Sequence, residues 1–215
     1  MEKPQFQEVV DNVIMNNRKN GKEEIVLPFK DNFAKTIEID CPWQYKDRGF
    51  NGYETVPSHR IHCKYDTMST EDILKMSGEI RRISNEECRL WFWTTKDFLE
   101  ESFQIIREFG FEFRQILTWV KTNKKGQPSY GMGYYFRNTT EFLLYATNKK
   151  GLRPLQATTA SNVLFAPREG HSRKPDVFYQ FIKDNSEEPR VSLFQRTKRD
   201  GFHVWGNEIN DGLES

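Results

Sequence analysis

Short apolar runs alternate with amphipathic helical segments along this chain, and that alternation restricts the fold more than any other feature. Residues 35–39, 89–94, 113–120, 139–147, 191–195 and 202–205 read as strands, with further short strands at 24–27 and within 161–166. Phe98, Leu99, Phe103, Ile106 and Phe109 recur at helical spacing, and Gly110 is the expected stop. Ser69-Thr70-Glu71-Asp72 starts another helix, with acids in its first turn, that runs to about Arg82. Pro175 opens a third, continuing to about Lys183. Strands separated by helices imply an α/β class with a largely parallel sheet. Ligands of such sheets sit beyond the carboxyl ends of the strands. Asp40, the 121–138 segment and the tail after Gln195 fall there.

The length, 215 residues, suits one self-supporting core. Phe6, Val9, Val10, Val13 and Ile14 share a helical face, so residues 1–30 are expected to form a helical arm packed on a domain spanning 31–215. The longest apolar runs, Leu90-Trp91-Phe92-Trp93 and residues 142–146, are far shorter than the ~20 residues a bilayer requires. No membrane partner is therefore expected. A polar start and three irregularly spaced cysteines point to a reducing, cytoplasmic setting. The net charge of +1 does not by itself attract nucleic acid. Residues 121–153, however, carry seven basic side chains against one acid, Glu141, and interleave them with Tyr130, Tyr134, Tyr135 and Phe136. That composition suits phosphate contact and base stacking.

Asp40-Cys41-Pro42-Trp43 follows the first strong strand, and its proline ends the ladder. An acid, a rigid turn and a large aromatic thus leave one sheet edge together. The carboxylate can accept a hydrogen bond from an exocyclic amine, the next carbonyl can take the second N–H, and the indole can stack on a base. Such stacking is worth ~1–3 kcal/mol in single-strand binders. The same residues also allow a plainer arrangement, with Asp40 capping a turn and Trp43 in the core. Gly131-Met132-Gly133 fails as a dinucleotide fingerprint, because Phe136 holds the third glycine position and a strand follows. His59, His62 and Cys63 lack a fourth ligand, so no metal is expected.

Asp-Cys-Pro-Trp resembles the Asp-Pro-Pro-Trp signature of the MT-A70 family of adenine-N6 methyltransferases, and further blocks follow in the family's order. Tyr65-Asp66-Thr67-Met68-Ser69 is similar to its tyrosine-containing gate segment, and Trp119-Val120-Lys121-Thr122-Asn123 to a central block. Arg137-Asn138-Thr139-Thr140-Glu141, His171-Ser172-Arg173-Lys174-Pro175-Asp176, Leu193-Phe194-Gln195-Arg196 and Trp205-Gly206-Asn207-Glu208 resemble the later elements. The resemblance covers about residues 35–208 and implies a Rossmann-like methyltransferase fold with a mostly parallel, twisted sheet flanked by helices.

The resemblance also implies S-adenosylmethionine as cofactor. It places Lys174 on the methionine carboxylate, Asp40 toward the ammonium, Arg196 near the ribose, and Asn207 and Glu208 on the ribose hydroxyls. Asp40, Cys41, Pro42 and Trp43 form the implied catalytic set. Tyr45, Tyr65, Lys121, Asn123, Lys124, Lys125, Tyr130 and Arg137 are the expected substrate and nucleic-acid contacts. Residues 20–29, where the family's adenine contacts lie, are too divergent to assign. Cys41 departs from the family pattern, although a backbone carbonyl remains at that position. The expected activity is methyl transfer to adenine N6 in DNA, because a compact stand-alone domain resembles bacterial and phage members. RNA as acceptor, and a non-catalytic binding subunit, are the alternatives. A homodimer or heterodimer is compatible with either.

Overall fold

The computed structural model describes residues 25–45, 67–131, 133, 135–156, 159–168 and 173–206. The expected N-terminal helix, His59, His62, Cys63, Tyr65, Asn207 and Glu208 lie outside those residues.

Among the described residues, seven strands form one sheet: β1 (Ala34–Ile39), β2 (Ser84–Thr94), β3 (Glu112–Thr122), β4 (Thr140–Thr147), β5 (Val163–Pro167), β6 (Arg190–Leu193) and β7 (His203–Trp205). Their spatial order is β5-β3-β4-β2-β1-β6-β7. Residues 25–27, expected to extend the strand set, are not in a strand. Among the described residues, four helices flank the sheet: α1 (Thr70–Lys75), α2 (Ser77–Ile83), α3 (Leu99–Glu108) and α4 (Asp176–Asn185), with a 3-10 turn at Lys96–Phe98. The α/β class and the mostly parallel sheet agree with the sequence expectation. β4 alone runs against its neighbours β2 and β3. It follows β3 without an intervening helix, and a return of that kind leaves adjacent strands antiparallel.

Pleating sends alternate residues to opposite faces, and each face has its own core. Ile37, Ile39, Leu90, Phe92, Leu144 and Ala146 pack with Ile73, Ile80, Ile105 and Ile106 of α1, α2 and α3. Trp91, Trp93, Leu117, Trp119, Leu143 and Tyr145 pack with Phe178 and Ile182 of α4. The unbroken apolar run in β2 reflects cover on both faces.

Local chemistry sets the boundaries. Ser69 caps α1, accepting from Asp72 N at 3.2 Å. The single helix expected from 69 to about 82 is instead two, because Ser77 Oγ donates to Leu74 O at 2.5 Å where the chain bends at Met76. Gly110 ends α3 with φ +86°, as its position in the sequence predicts. Pro175 stands at the N-cap of α4, one place before the first helical residue.

Every parallel strand ends at one edge, and antiparallel β4 begins there. The chain immediately beyond β1, β6 and β7 therefore converges with Thr140 and Glu141. Gly206 shows how tightly: Gln195 N donates to Trp205 O at 3.1 Å. A methyl group on Gly206 would collide with the Gln195 carbonyl oxygen and lie 2.7 Å from its nitrogen. Gly206→Ala is expected to destabilise the fold by about 1–3 kcal/mol, measured by thermal or urea denaturation against the wild-type chain.

Candidate active site

Asp40 is the first residue past β1, Lys174 lies in the turn before α4, and Glu141 is the second residue of β4. The Lys174 ammonium donates to Asp40 Oδ2 at 2.8 Å and lies 3.5 Å from Glu141 Oε2. Glu141 Oε1 in turn pairs with Lys121 Nζ at 2.6 Å. The result is a row of alternating charge, Asp40–Lys174–Glu141–Lys121, along the carboxyl edge. Lys174 and Lys121 each sit 5.3 Å from an indole centroid, of Trp93 and Trp119 respectively. The Lys174 side chain is 8% exposed, and that of Asp40 22%.

Burial would push the Lys174 ammonium down, but Asp40 and Glu141 outweigh it and hold it above its usual range. Burial raises the Asp40 carboxyl, with Lys174 opposing. Burial also acts to raise Glu141, yet Lys174 and Lys121 bring it below the ordinary glutamate value. Asp40 is thus the acid of the row held less firmly in its ionised form.

A second acid underlies the first. Glu38, two residues back on the same face of β1, is fully buried. Its Oε2 accepts from Ser192 Oγ and, at 3.1 Å, from Gln195 Nε2, while Oε1 has no partner among the described residues. Burial pushes its pKa up to about 8. Gln195 also donates to Tyr179 Oη at 3.0 Å, and the Arg199 guanidinium lies 3.6 Å from the Tyr179 ring. This network fastens the chain after β6, which carries Arg196. Arg196 is exposed, and its charge acts to lower the Asp40 carboxyl.

The signature is pinned by backbone bonds. Cys41 O accepts from Trp43 N at 2.9 Å, Pro42 O from Met68 N at 2.8 Å, and Met68 O from Gln44 N at 3.2 Å. Trp43 corrects one expectation: it is 6% exposed and lies parallel to the Phe98 ring with centroids 4.5 Å apart. The open indole face expected at the sheet edge is absent in this structure, because the 3-10 turn supplies an apolar ring to cover it. Tyr45 meets the edge of the same Phe98 ring, and its Oη lies 3.4 Å from Thr95 Oγ1.

The expected nucleic-acid contacts divide. Lys121 belongs to the charge row. Asn123 shapes the turn after β3, its Oδ1 accepting from Lys125 N and Gln127 N. Lys124, Lys125, Tyr130 and Arg137 are exposed near the carboxyl edge, as are Tyr135 and Phe136. Lys149, Lys150 and Arg153 are elsewhere: β4 carries the chain across the sheet, roughly 25 Å for its length. The basic segment is therefore not one patch.

Glu38, Gln195 and Trp93 were not singled out from sequence. The signal for Glu38 was an acid two residues before Asp40 in an otherwise apolar strand, a spacing that puts both on one face. Glu141 was visible only as the lone acid of a basic stretch.

The MT-A70 family model matches residues 33–208 of this chain. Among known proteins, the type II methyltransferase M.MunI of a Mycoplasma species is 24% identical over 209 residues, covering 91% of this chain and 86% of that protein.

Two outcomes follow from the charges. Lys174→Met leaves Asp40 and Glu141 without the ammonium between them, and is expected to cost about 3–5 kcal/mol in urea unfolding. Adding Asp40→Asn should recover part of that loss. Glu38 titrates above its ordinary value of 4.5, so its stabilising contribution is complete below that pH and is lost as pH rises through about 8. Between about pH 6 and about pH 9, the wild-type melting temperature should fall more than that of Glu38→Gln, by about 3 °C or more.

Proposed function

This chain belongs to the MT-A70 family, and from that premise we propose that it transfers a methyl group from S-adenosylmethionine to the exocyclic N6 of adenine in DNA. The observation that carries the reading is the Asp40–Lys174 pair at the carboxyl edge, next to a signature whose backbone is pinned on both sides.

The donor set fits the cofactor. The amino-acid end of S-adenosylmethionine carries one ammonium and one carboxylate. Asp40 and Lys174 are the complementary charges, and in this structure they satisfy each other at 2.8 Å. Lys174 would hold the carboxylate and Asp40 the ammonium, while Glu141 keeps Lys174 charged after Asp40 changes partner. Arg196 would approach the ribose; Asn207 and Glu208, outside the described residues, are proposed for its hydroxyls. When bound, the cofactor supplies a methyl group already activated on a sulfonium.

The protein's task is then mainly geometry and charge. The N6 lone pair is conjugated with the purine ring. Hydrogen bonds from N6 to the Asp40 carboxylate and to the Cys41 carbonyl would favour the nitrogen with a localised lone pair. The Cys41 carbonyl accepts one bond from Trp43 N and has a second lone pair to offer. Cysteine in place of proline leaves that acceptor in place. Pro42 and the Met68 pairings fix the direction of the carbonyl, and Trp43 with Phe98 forms the apolar wall behind it. Lys124, Lys125 and Arg137 supply phosphate contacts, and Tyr130 an exposed ring for a base. Tyr45 and Tyr65 are proposed to flank the acceptor. The likeness to a type II methyltransferase favours DNA over RNA.

Incubation with labelled methyl donor and parallel DNA and RNA, followed by nucleoside mass spectrometry, tests the proposal. N6-methyldeoxyadenosine from DNA is expected. Asp40→Asn should lower turnover by at least ~10²–10³-fold with its fold retained by circular dichroism. Product in RNA alone, or full turnover in Asp40→Asn, overturns it.

A further inference from the structure

The chain between β3 and β4 leaves the carboxyl edge, and backbone bonds divide it into two lobes. In the first, Asn123 N donates to Gln127 O at 2.8 Å, and Lys124 and Lys125 stand exposed in the turn. The second starts and ends on one residue of β3: Lys121 O accepts from Ser129 N, and Lys121 N donates to Thr139 O, each at 2.8 Å. The Lys121 side chain pairs with Glu141, so the base of this lobe is tied to the charge row. Gly131 N donates to Asn138 O at 2.7 Å and narrows the lobe to a neck. A methyl group on Gly131 would lie 2.9 Å from that oxygen, and one on Gly133 would collide with the Phe136 carbonyl oxygen. The two glycines thus let the backbone fold closely on itself.

Two independent observations give the tip of this lobe a purpose. The first is apolar exposure. Tyr135 is 87% exposed, Phe136 85% and Tyr130 70%, the three most exposed large hydrophobic side chains among the described residues. Single apolar side chains in water are ordinary, but here the extremes gather on one short lobe. Rings left in water add nothing to the core, and a patch of them marks a contact surface.

The second observation is charge. Residues 121–140 contain Lys121, Lys124, Lys125 and Arg137 and no acid. Arg168 is exposed beside them, because it follows Pro167, the β5 partner of Thr122. Rings set among cations suit a polyanion with a stacked apolar interior, which describes duplex nucleic acid.

An adenine in a duplex lies inside the stack, whereas Asp40 and Lys174 are fixed at a sheet edge. The base must therefore leave the helix, at the cost of unpairing and unstacking, and its departure leaves a gap. We propose that Phe136, with Tyr135 beside it, is a wedge that enters duplex DNA and fills the space left by the flipped adenine. The inference rests on the methyl-transfer reading and names duplex, rather than single-stranded, DNA as the acceptor. The shape of the lobe favours the duplex: a single-strand platform spreads its rings along a groove, but these two are consecutive at one narrow tip. The attachment to Lys121 holds the wedge and the charge row on one frame. Arg137, the next residue, would hold a phosphate beside the gap.

Turnover of a duplex with one central adenine flanked by random sequence, and of the same strand alone, tests the wedge. Phe136→Ala should lower kcat/KM on the duplex about tenfold and leave the single strand unchanged. An abasic site opposite the adenine should restore much of that loss, since no pair then has to open. Phe136→Trp should turn the duplex over at the wild-type rate. Because the ring is exposed, unliganded Phe136→Ala should melt at the wild-type temperature, whereas a structural ring would lower it. The added indole of Phe136→Trp also gives a readout without chemistry: duplex alone, with no methyl donor, should quench it. Quenching in a chain that methylates nothing would remove methyl transfer and keep the wedge. The wedge is overturned by equal losses on both substrates, by no loss on the duplex, by wild-type turnover confined to the single strand, by absence of quenching, or by a lowered melting temperature in Phe136→Ala.

Discussion

The Lys174 ammonium, held between the carboxylates of Asp40 and Glu141, is the interaction on which the edge of this sheet depends. It joins the end of β1, the start of β4 and the turn before α4. An ion this buried is expensive to desolvate, and good partners are what make it tolerable. The row is neutral in sum, with two acids and two bases, so it adds no net field to a nearly neutral chain. Its groups are nonetheless the ones a zwitterionic ligand would address. The unliganded fold thus satisfies internally the charges that the proposed cofactor would satisfy from outside. Binding would exchange one charge pair for two, without leaving an ion bare.

Glu38 and Asp40 show how neighbouring positions acquire opposite character. Both project to one face of β1, but Glu38 meets Ser192 and Gln195, whereas Asp40 meets an ammonium. A buried carboxyl whose hydrogen-bond donors are neutral favours its protonated form, and burial accordingly pushes the Glu38 pKa up to about 8. Had both been ionised, two like charges would have faced each other in a low-dielectric site. The neutral acid instead couples β1 to β6 and steadies the chain that leads to Arg196.

The strands, the carboxyl edge and the helix boundaries at Ser69 and Gly110 were legible in the sequence, because periodicity, caps and glycine each act locally. Asp40 was legible for a related reason, since a strand cut by proline places its next acid at an edge. Lys174 was marked as part of the site through resemblance, but its pairing with Asp40 is a contact across 134 residues that no local rule supplies. The burial of Trp43 depends on Phe98, a ring from a different element. The break at Met76 turns on one serine hydroxyl that bonds back along the chain. The dispersal of the basic segment follows from the reversed direction of β4, and composition carries no direction.

That reversal also explains how one face can carry two separate groups of polar side chains. Had β4 run parallel, Glu141 would have started at the amino edge, and Lys174 would have lost its second carboxylate. Running antiparallel, the strand puts Glu141 on the charge row and Tyr145 and Thr147 toward the arginines at the other end. Between them, Trp93, Leu143, Trp119 and Phe178 form a buried apolar layer. Charges on either side retain their own partners, since a guanidinium crossing that layer would lose both hydration and counterion. The aromatic density of β2 and β3 therefore does more than fill the core: it separates the neutral row at one end from the arginines at the other.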